Sequence, residues 1–323
     1  MAQATIVNEQ GRSDTVTGTA QTNETSWRKA ISPQRDRLQS RILVGVMLPV
    51  LIAAFLLVLP TLHGHPGRAR EFLIAFGVSW TFGMVVWALR SATALAAFSG
   101  SLICFLVTLF TKRGDSVFVS GLAPMLALFV LTYLATKAGR RRKASLGLAE
   151  GKKGRNAAQV IANLGASALA TIAVTALDAV LFPNGRGTDG INLTGVLNIV
   201  LVAVFAEATA DTVSSEVGQA FGGTPFLVTT LRRVPPGTDG AISLRGTAAG
   251  IAAAAVVSIL GTWALGLMPE QALIAFLAGI AGLFFDSLLG ATIERKGWLG
   301  NDLVNFTSTL FAAAMALVAL ALL

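Results

Sequence analysis

Apolar residues in this chain come in long runs rather than in the alternation of strands. From Ile42 onward nine stretches approach the ~20 residues that cross a bilayer as a helix: 42–62, 72–89, 91–110, 117–136, 157–182, 190–210, 243–267, 271–291 and 303–323. Only Arg90 separates the second run from the third. In hydrocarbon every backbone N–H and C=O must be satisfied within its own segment, so such runs predict helices. The expected fold is all-α, a polytopic transmembrane bundle of about nine helices. Ahead of it, residues 1–27 are rich in Thr, Gln, Ser and Asn without an apolar core, and are expected to be a disordered tail. Residues 28–41 form a basic amphipathic flank with Arg28, Lys29, Arg35, Arg37 and Arg41, suited to an anionic membrane surface or to plain solvation. Residues 42–136 then make an N-terminal transmembrane part, and 137–323 the part that carries the polar motifs.

Composition agrees with this pattern. The chain is 54% hydrophobic with a mean hydropathy of +0.68, and 13% of its residues are charged, against about 25% in soluble domains. A net charge of +8 would fit a nucleic-acid binder, but the cations follow the membrane instead. With the N-terminus inside, 20 of the 25 Lys and Arg residues fall on one side, leaving Arg68, Arg70, Lys112, Arg113 and Arg186 on the other. Cytoplasmic loops collect Lys and Arg, so the N-terminus is expected inside, the C-terminus outside, and no nucleic-acid partner is implied. The lone Cys104 sits in an apolar run and the two histidines, His63 and His65, in one loop. That excludes a disulfide framework and makes a thiol or imidazole zinc site a poor expectation.

Ionisable groups inside membrane helices are costly and mark functional positions by default. Glu207, Asp211 and Ser215 recur at i, i+4, i+8 and share one helical face, with Ser214 adjacent and Glu216 next in line. Asp286 occupies the corresponding end of the eighth run, while Asp178 falls near the opposite end of the fifth and reads as structural. By the topology above, Asp211, Asp286 and the loops 137–155, 217–242 and 292–302 share one side. Carboxylates with Ser and Asn neighbours suit Mg²⁺, a hard cation that keeps water and substrate phosphates in its shell. The same acids would equally serve as partners of buried Arg or as a transport path.

Between the sixth and seventh runs lies GGTPFLVTTLRRVPPGTDG, residues 222–240. Its glycines allow backbone N–H groups to converge on an anion. Arg232 and Arg233 bring charge, and Ser243, Arg245 and Thr247 open the next helix, where a phosphate gains from free amides. Asn156, Gln159 and Asn163, and again Asn301 and Asn305, fall on single helix faces; such amides bind a nucleotide or simply bond neighbouring helices. Small residues from Gly246 to Gly250 and beyond predict close helix packing.

Three blocks together resemble one family: D-T-x-S-S-E-x-G from Asp211, V-P-x-G-T-x-G-x-[IV]-S from Val234 and D-S-L-L-G-A-T from Asp286. With the basic stretch LATKAGRRRKASLGLAEGKKGRNAAQVIANLG they are similar to the integral membrane family that includes animal transmembrane protein 19 and the phytyl-phosphate kinase of chloroplasts and cyanobacteria. The resemblance runs from about Leu131 to the C-terminus; ahead of that only the hydrophobic pattern matches. The order of motifs is also similar, more distantly, to dolichol kinases and phosphatidate cytidylyltransferases.

This resemblance implies transfer of a phosphoryl group, with CTP the favoured donor, to an isoprenyl (phytyl or polyprenyl) monophosphate at the cytoplasmic face of the membrane, the plasma membrane in a bacterium. It implies Mg²⁺ on Asp211 and Asp286, supported by Glu207 or Glu216, and catalysis assisted by Arg232 and Arg233. Lys143, Arg155, Asn163, Ser215, Gly237, Thr238, Gly240, Ser243, Arg245, Asn301 and Asn305 are the implied nucleotide and substrate contacts. Two alternatives stay open: a cytidylyltransferase that forms a CDP-lipid, and a transporter or flippase that uses the intramembrane acids.

Overall fold

The computed structural model describes residues 31–63, 66–149, 154–182 and 193–322. The expected tail 1–27 and the start of the basic flank lie outside the described residues, as do His65, Lys152, Lys153 and Arg186. The fold is an all-α polytopic bundle. Among the described residues, eight helices are long and apolar enough to cross a membrane, and a shorter apolar one spans Leu122–Lys137.

Helix α1 runs Pro33–Val58, started by Ser32, whose Oγ accepts from the Arg35 N–H at 3.3 Å, and by proline in the first turn. The cations Arg35, Arg37 and Arg41 therefore ride on the first turns of a membrane helix rather than on a separate segment. α2 spans Pro66–Ala88 and α3 Ala94–Thr111, the latter capped by Thr93. Between them Arg90 turns the chain with φ +54°. α4 covers Leu122–Lys137, starting later than the apolar run because Val117–Gly121 forms a turn held by Ser120 Oγ on the Val117 carbonyl. The short α5, Arg140–Ser145, follows, then α6, Ala157–Leu181, which opens with a reciprocal Asn156–Gln159 capping box.

α7, Leu193–Phe221, is the axis of the bundle. It packs against α4 and α6, and against three later helices: α8 (Leu244–Leu265), α9 (Pro269–Leu289) and α10 (Asn301–Ala321). The apolar run predicted this helix only to residue 210; it continues to Phe221 because the polar residues beyond face an interior cavity, not solvent. Small residues let α8 sit on it as expected: a Cβ on Gly246 would lie 2.5 Å from the Ser214 carbonyl oxygen, and one on Gly250 2.6 Å from that of Ala210. Between α7 and α8 the chain folds into a two-stranded hairpin, β1 (Phe226–Leu227) antiparallel to β2 (Ala241–Ile242), with Phe226 opposite Ile242. α9 ends in a π-helical turn, Gly290–Glu294. At the opposite end of the chain, α1 docks on the loop before α10: Ser40 Oγ donates to Asp302 at 2.6 Å, and Gln39 bonds the Trp298 carbonyl and the Gly300 N–H.

Candidate active site

Where α6, α7, α9 and α10 converge, a polar cavity of about 370 Å³ opens toward the hairpin side of the bundle. α7 supplies Asp211, Ser214, Ser215 and Glu216, α9 Asp286 and Ser287, α10 Asn301 and Asn305, and the start of α6 Arg155, Gln159 and Asn163. The hairpin roofs it with Pro236 through Ser243. That roof depends on Gly240: its φ is +71°, and a Cβ there would lie 2.5 Å from Ala291 Cα. The backbone of the loop thereby rests directly on the π-helical turn after Asp286, which brings the second and third motif blocks together.

Asp211 and Asp286 both line the cavity floor, close enough for each carboxyl to feel the other's charge. Asp211 is ten residues before the end of α7, roughly 15 Å along the axis at 1.5 Å per residue, so the floor is sunk among the helices. One turn deeper, Glu207 is 1% exposed and accepts from Ser308 Oγ at 2.6 Å. Glu207 Oε2 and Asp286 Oδ1 are both buried without a hydrogen-bond partner. Buried carboxylate oxygens are left this way at a cost unless something satisfies them.

Among the described residues, five acids line the cavity (Asp211, Glu216, Asp239, Asp286 and Glu294) with one cationic side chain, Arg155. Asp239 and Glu294 were not singled out from sequence; Asp239 sits inside the second motif block, and Glu294 lies eight residues after Asp286. Burial pushes the Asp239 carboxyl up to about 6, opposed by the nearby Arg295. Arg155 faces Asp211 electrostatically. It is held from behind by backbone bonds, its N–H on the Ser91 carbonyl at 2.9 Å and its own carbonyl on the Thr93 N–H at 2.9 Å. Gly154 permits this contact: with φ +69°, a Cβ would meet the Arg90 and Ser91 carbonyl oxygens at 2.5 Å. The α2–α3 turn is thus part of the site.

Of the residues expected from sequence, Asp211, Asp286, Ser215, Arg155, Asn163, Gly237, Thr238, Gly240, Ser243, Asn301 and Asn305 all line this cavity. Asn305 Nδ2 donates to Asn163 Oδ1 at 3.5 Å, so the two amide faces also join α10 to α6. Four residues, Arg232, Arg233, Arg245 and Glu216, are placed otherwise than expected. Arg232 and Arg233 are exposed and outside the cavity: their backbones pair back onto Leu227 and Phe226, and the Arg233 guanidinium lies over the Phe226 ring at 5.9 Å. Arg245, also exposed, donates to the Phe221 carbonyl at 3.0 Å and so caps α7. Glu216 reaches the cavity edge but is turned to Lys143, 2.5 Å away, not to the aspartates. Asp178 lies where the sequence placed it, exposed at the far end of α6.

The donor set fits Mg²⁺ in one form only. Among the described residues no group of three His, Cys, Asp or Glu is arranged to hold a metal. Asp211 and Asp286 offer a two-carboxylate site with an unpartnered oxygen, which is what Mg²⁺ uses when phosphates and water complete its shell.

The model of the family described as "Integral membrane protein DUF92" matches residues 77–313. The chain belongs to this family. The match starts inside α2, well ahead of Leu131, so α3 and α4 are covered by it as well. Curated relatives include the "Uncharacterized membrane protein sll0875" of Synechocystis sp., 33% identical over 244 residues, 75% of this chain and 80% of that protein. "Protein VTE6, chloroplastic" of Arabidopsis thaliana is 31% identical over 229 residues, 70% of this chain and 65% of VTE6. "Uncharacterized membrane protein MJ0933" of Methanocaldococcus jannaschii is 42% identical over 109 residues, 34% of this chain and 45% of the relative. No solved structure matches the chain significantly.

Proposed function

We propose that this DUF92 member is a nucleotide-dependent phosphotransferase that converts an isoprenyl monophosphate to the diphosphate at the cytoplasmic face, with CTP as favoured donor and Mg²⁺ as cofactor. The observation that carries the reading is the meeting of Asp211 and Asp286 on the floor of an acidic cavity roofed by the glycine-rich hairpin. With Glu216 paired to Lys143, the described lining still sets four acids against one arginine, so a nucleoside triphosphate entering the cavity is repelled unless a divalent cation accompanies it. Mg²⁺ on Asp211 and Asp286 would supply that charge neutralisation and polarise the transferred phosphoryl group.

The chain's own residues supply positioning. Arg155, facing Asp211, neutralises phosphate oxygens, and the backbone of the hairpin turn from Gly237 to Gly240, which lines the cavity, is placed to bind the rest of the donor. Asn163, Asn301 and Asn305 orient nucleotide or water by hydrogen bonds. An oxygen of the acceptor monophosphate attacks the γ-phosphorus; the new P–O bond forms as the bond to the β,γ-bridging oxygen breaks, releasing the nucleoside diphosphate. The acceptor is already anionic, so no strong general base is needed. The resemblance of the motif blocks to the family that includes phytyl-phosphate kinase supports this acceptor class.

The test is incubation of the purified protein with Mg²⁺, geranylgeranyl or phytyl monophosphate, and CTP labelled at the γ-phosphate. Label in a lipid diphosphate with release of CDP is expected. Pyrophosphate release with a CDP-lipid product identifies a cytidylyltransferase instead, and no lipid product across acceptors and nucleotides overturns the enzyme reading.

A further inference from the structure

A second cavity of about 390 Å³ adjoins the first, walled by α2, α3, α4 and α6. The two share Arg155 and Asn163 in their linings, and the Lys143–Glu216 ion pair stands between them with one partner in each. Their chemistry is opposite. The second is lined by Phe82, Val86, Ala97, Gly100, Met125 and Leu128 among others, and among the described residues its charged lining is Arg90, Lys137, Arg140, Lys143 and Arg155, without an acid.

These cations are not scattered. All five lie at the end of the cavity that meets the polar site, on the α2–α3 turn, the end of α4, α5 and the start of α6. The apolar residues run away from them into the bundle. Met125 is twelve residues before Lys137 on α4, roughly 18 Å deeper at 1.5 Å per residue, more than half of the ~30 Å hydrocarbon core. An apolar shaft with a basic mouth matches an amphiphile with one hydrocarbon chain and an anionic head.

We propose that this cavity holds the hydrocarbon chain of the acceptor, with its phosphate at the basic mouth beside Arg155, facing Asp211 and Asp286. The identification of the head group as a monophosphate rests on the phosphotransferase reading; the shaft and its basic mouth do not. The lipid-facing side is closed by an aromatic rim. Phe82 on α2 meets Phe129 on α4 edge-on at 5.2 Å, Tyr133 stacks behind Phe129 at 5.9 Å, and Lys137 Nζ lies over the Tyr133 ring at 5.2 Å. An isoprenyl chain reaches the shaft from the bilayer past these rings.

Gly100 makes the inference testable. It lines the shaft, and a Cβ there meets only Val160 Cγ1, at an ordinary 3.6 Å. Gly100→Ala therefore fits, and it also favours the helix. Gly100→Leu pushes a branched side chain into the shaft.

The probes are tritiated geranyl, farnesyl and geranylgeranyl monophosphate, with geranylgeraniol as the uncharged arm and phosphatidate as the two-chain arm, bound to the full-length protein in nanodiscs without nucleotide. The proposal expects the single-chain phosphates to bind. It also expects Gly100→Leu to weaken geranylgeranyl phosphate about tenfold or more while geranyl phosphate is little affected, with Gly100→Ala like wild type. A diazirine midway along an alkyl phosphate should label α3 and α4 in wild-type protein, a result independent of whether the leucine variant folds. Labelling confined to helices other than α2, α3, α4 and α6, equal binding of phosphatidate, or unchanged chain-length preference in a well-folded Gly100→Leu protein overturns the proposal, even if phosphoryl transfer is observed. Chain binding and labelling as expected with no turnover under any nucleotide would leave the shaft standing and the kinase reading lost.

Discussion

Lys143 offers the sharpest stability prediction. Its side chain is 1% exposed, and Nζ lies 2.5 Å from Glu216 Oε2, 2.8 Å from the Thr136 carbonyl oxygen and 3.1 Å from that of Ala135. It thus pairs a carboxylate on α7 and caps the last carbonyls of α4 at once. Lys143→Met keeps much of the volume but strands Glu216 beside an already acidic cavity. Removing one partner of a buried pair costs about 3–5 kcal/mol, and the 18% exposure of the Glu216 side chain favours the lower end. At ~2–4 °C per kcal/mol the melting temperature should fall by about 6 °C or more. Thermal unfolding of the purified protein in mild detergent measures this. Because the cost lies in the stranded charge, Lys143→Met/Glu216→Gln should recover about 1–3 kcal/mol relative to Lys143→Met alone. A Lys143→Met protein that melts within a degree of wild type, or a double variant no better than the single, would refute the reasoning.

Other predictions follow from placement. Arg155→Gln should lower turnover by about 10²-fold, whereas Arg232→Gln and Arg233→Gln, exposed outside the cavity, should each change it less than about threefold; steady-state assays with labelled CTP check the order. Gly240→Ala forces a Cβ against Ala291 at a left-handed backbone position and should cost about 2 kcal/mol or more, read as a lower melting temperature. Asp239, with its carboxyl raised to about 6, is neutral below that pH and adds a negative charge above it. Nucleotide affinity measured without divalent cation should therefore fall as pH rises from 5 to 7, and this fall should be smaller in Asp239→Asn.

Much of the architecture was readable from one physical rule, that a bilayer demands ~20 apolar residues per helix. The two aspartates were readable for the converse reason: a charge in such a helix is costly unless it is used. Gly237, Thr238, Gly240 and Ser243 could be read as a ligand loop only through the motif block they share, since glycine and small polar residues also form ordinary interhelical turns. What could not be read is direction. Arg232 and Arg233 carry the right charge beside the right motif, yet the hairpin pairing turns them outward. Glu216 looks like a third metal ligand until the fold brings Lys143 to it across 73 positions. The contribution of the α2–α3 turn was also invisible, since it depends on a backbone contact between Ser91 and Arg155 that leaves no side-chain pattern. For the same reason the first helices read only as a transmembrane part with a matching hydrophobic pattern, although α2 and α3 wall the second cavity.

The central claim is that Asp211 and Asp286 bind a nucleotide through a divalent cation in a cavity too acidic to take it otherwise. The most direct measurement is thermal stabilisation by CTP, with ATP alongside, with and without Mg²⁺, for wild type and Asp286→Asn. At a nucleotide concentration of about 100 times Kd, binding stabilises by ~2.7 kcal/mol. The account predicts a clear rise in melting temperature with CTP and Mg²⁺ together, little with either alone, and none in Asp286→Asn. Stabilisation by nucleotide that is equal without the cation, or that survives Asp286→Asn, would contradict it.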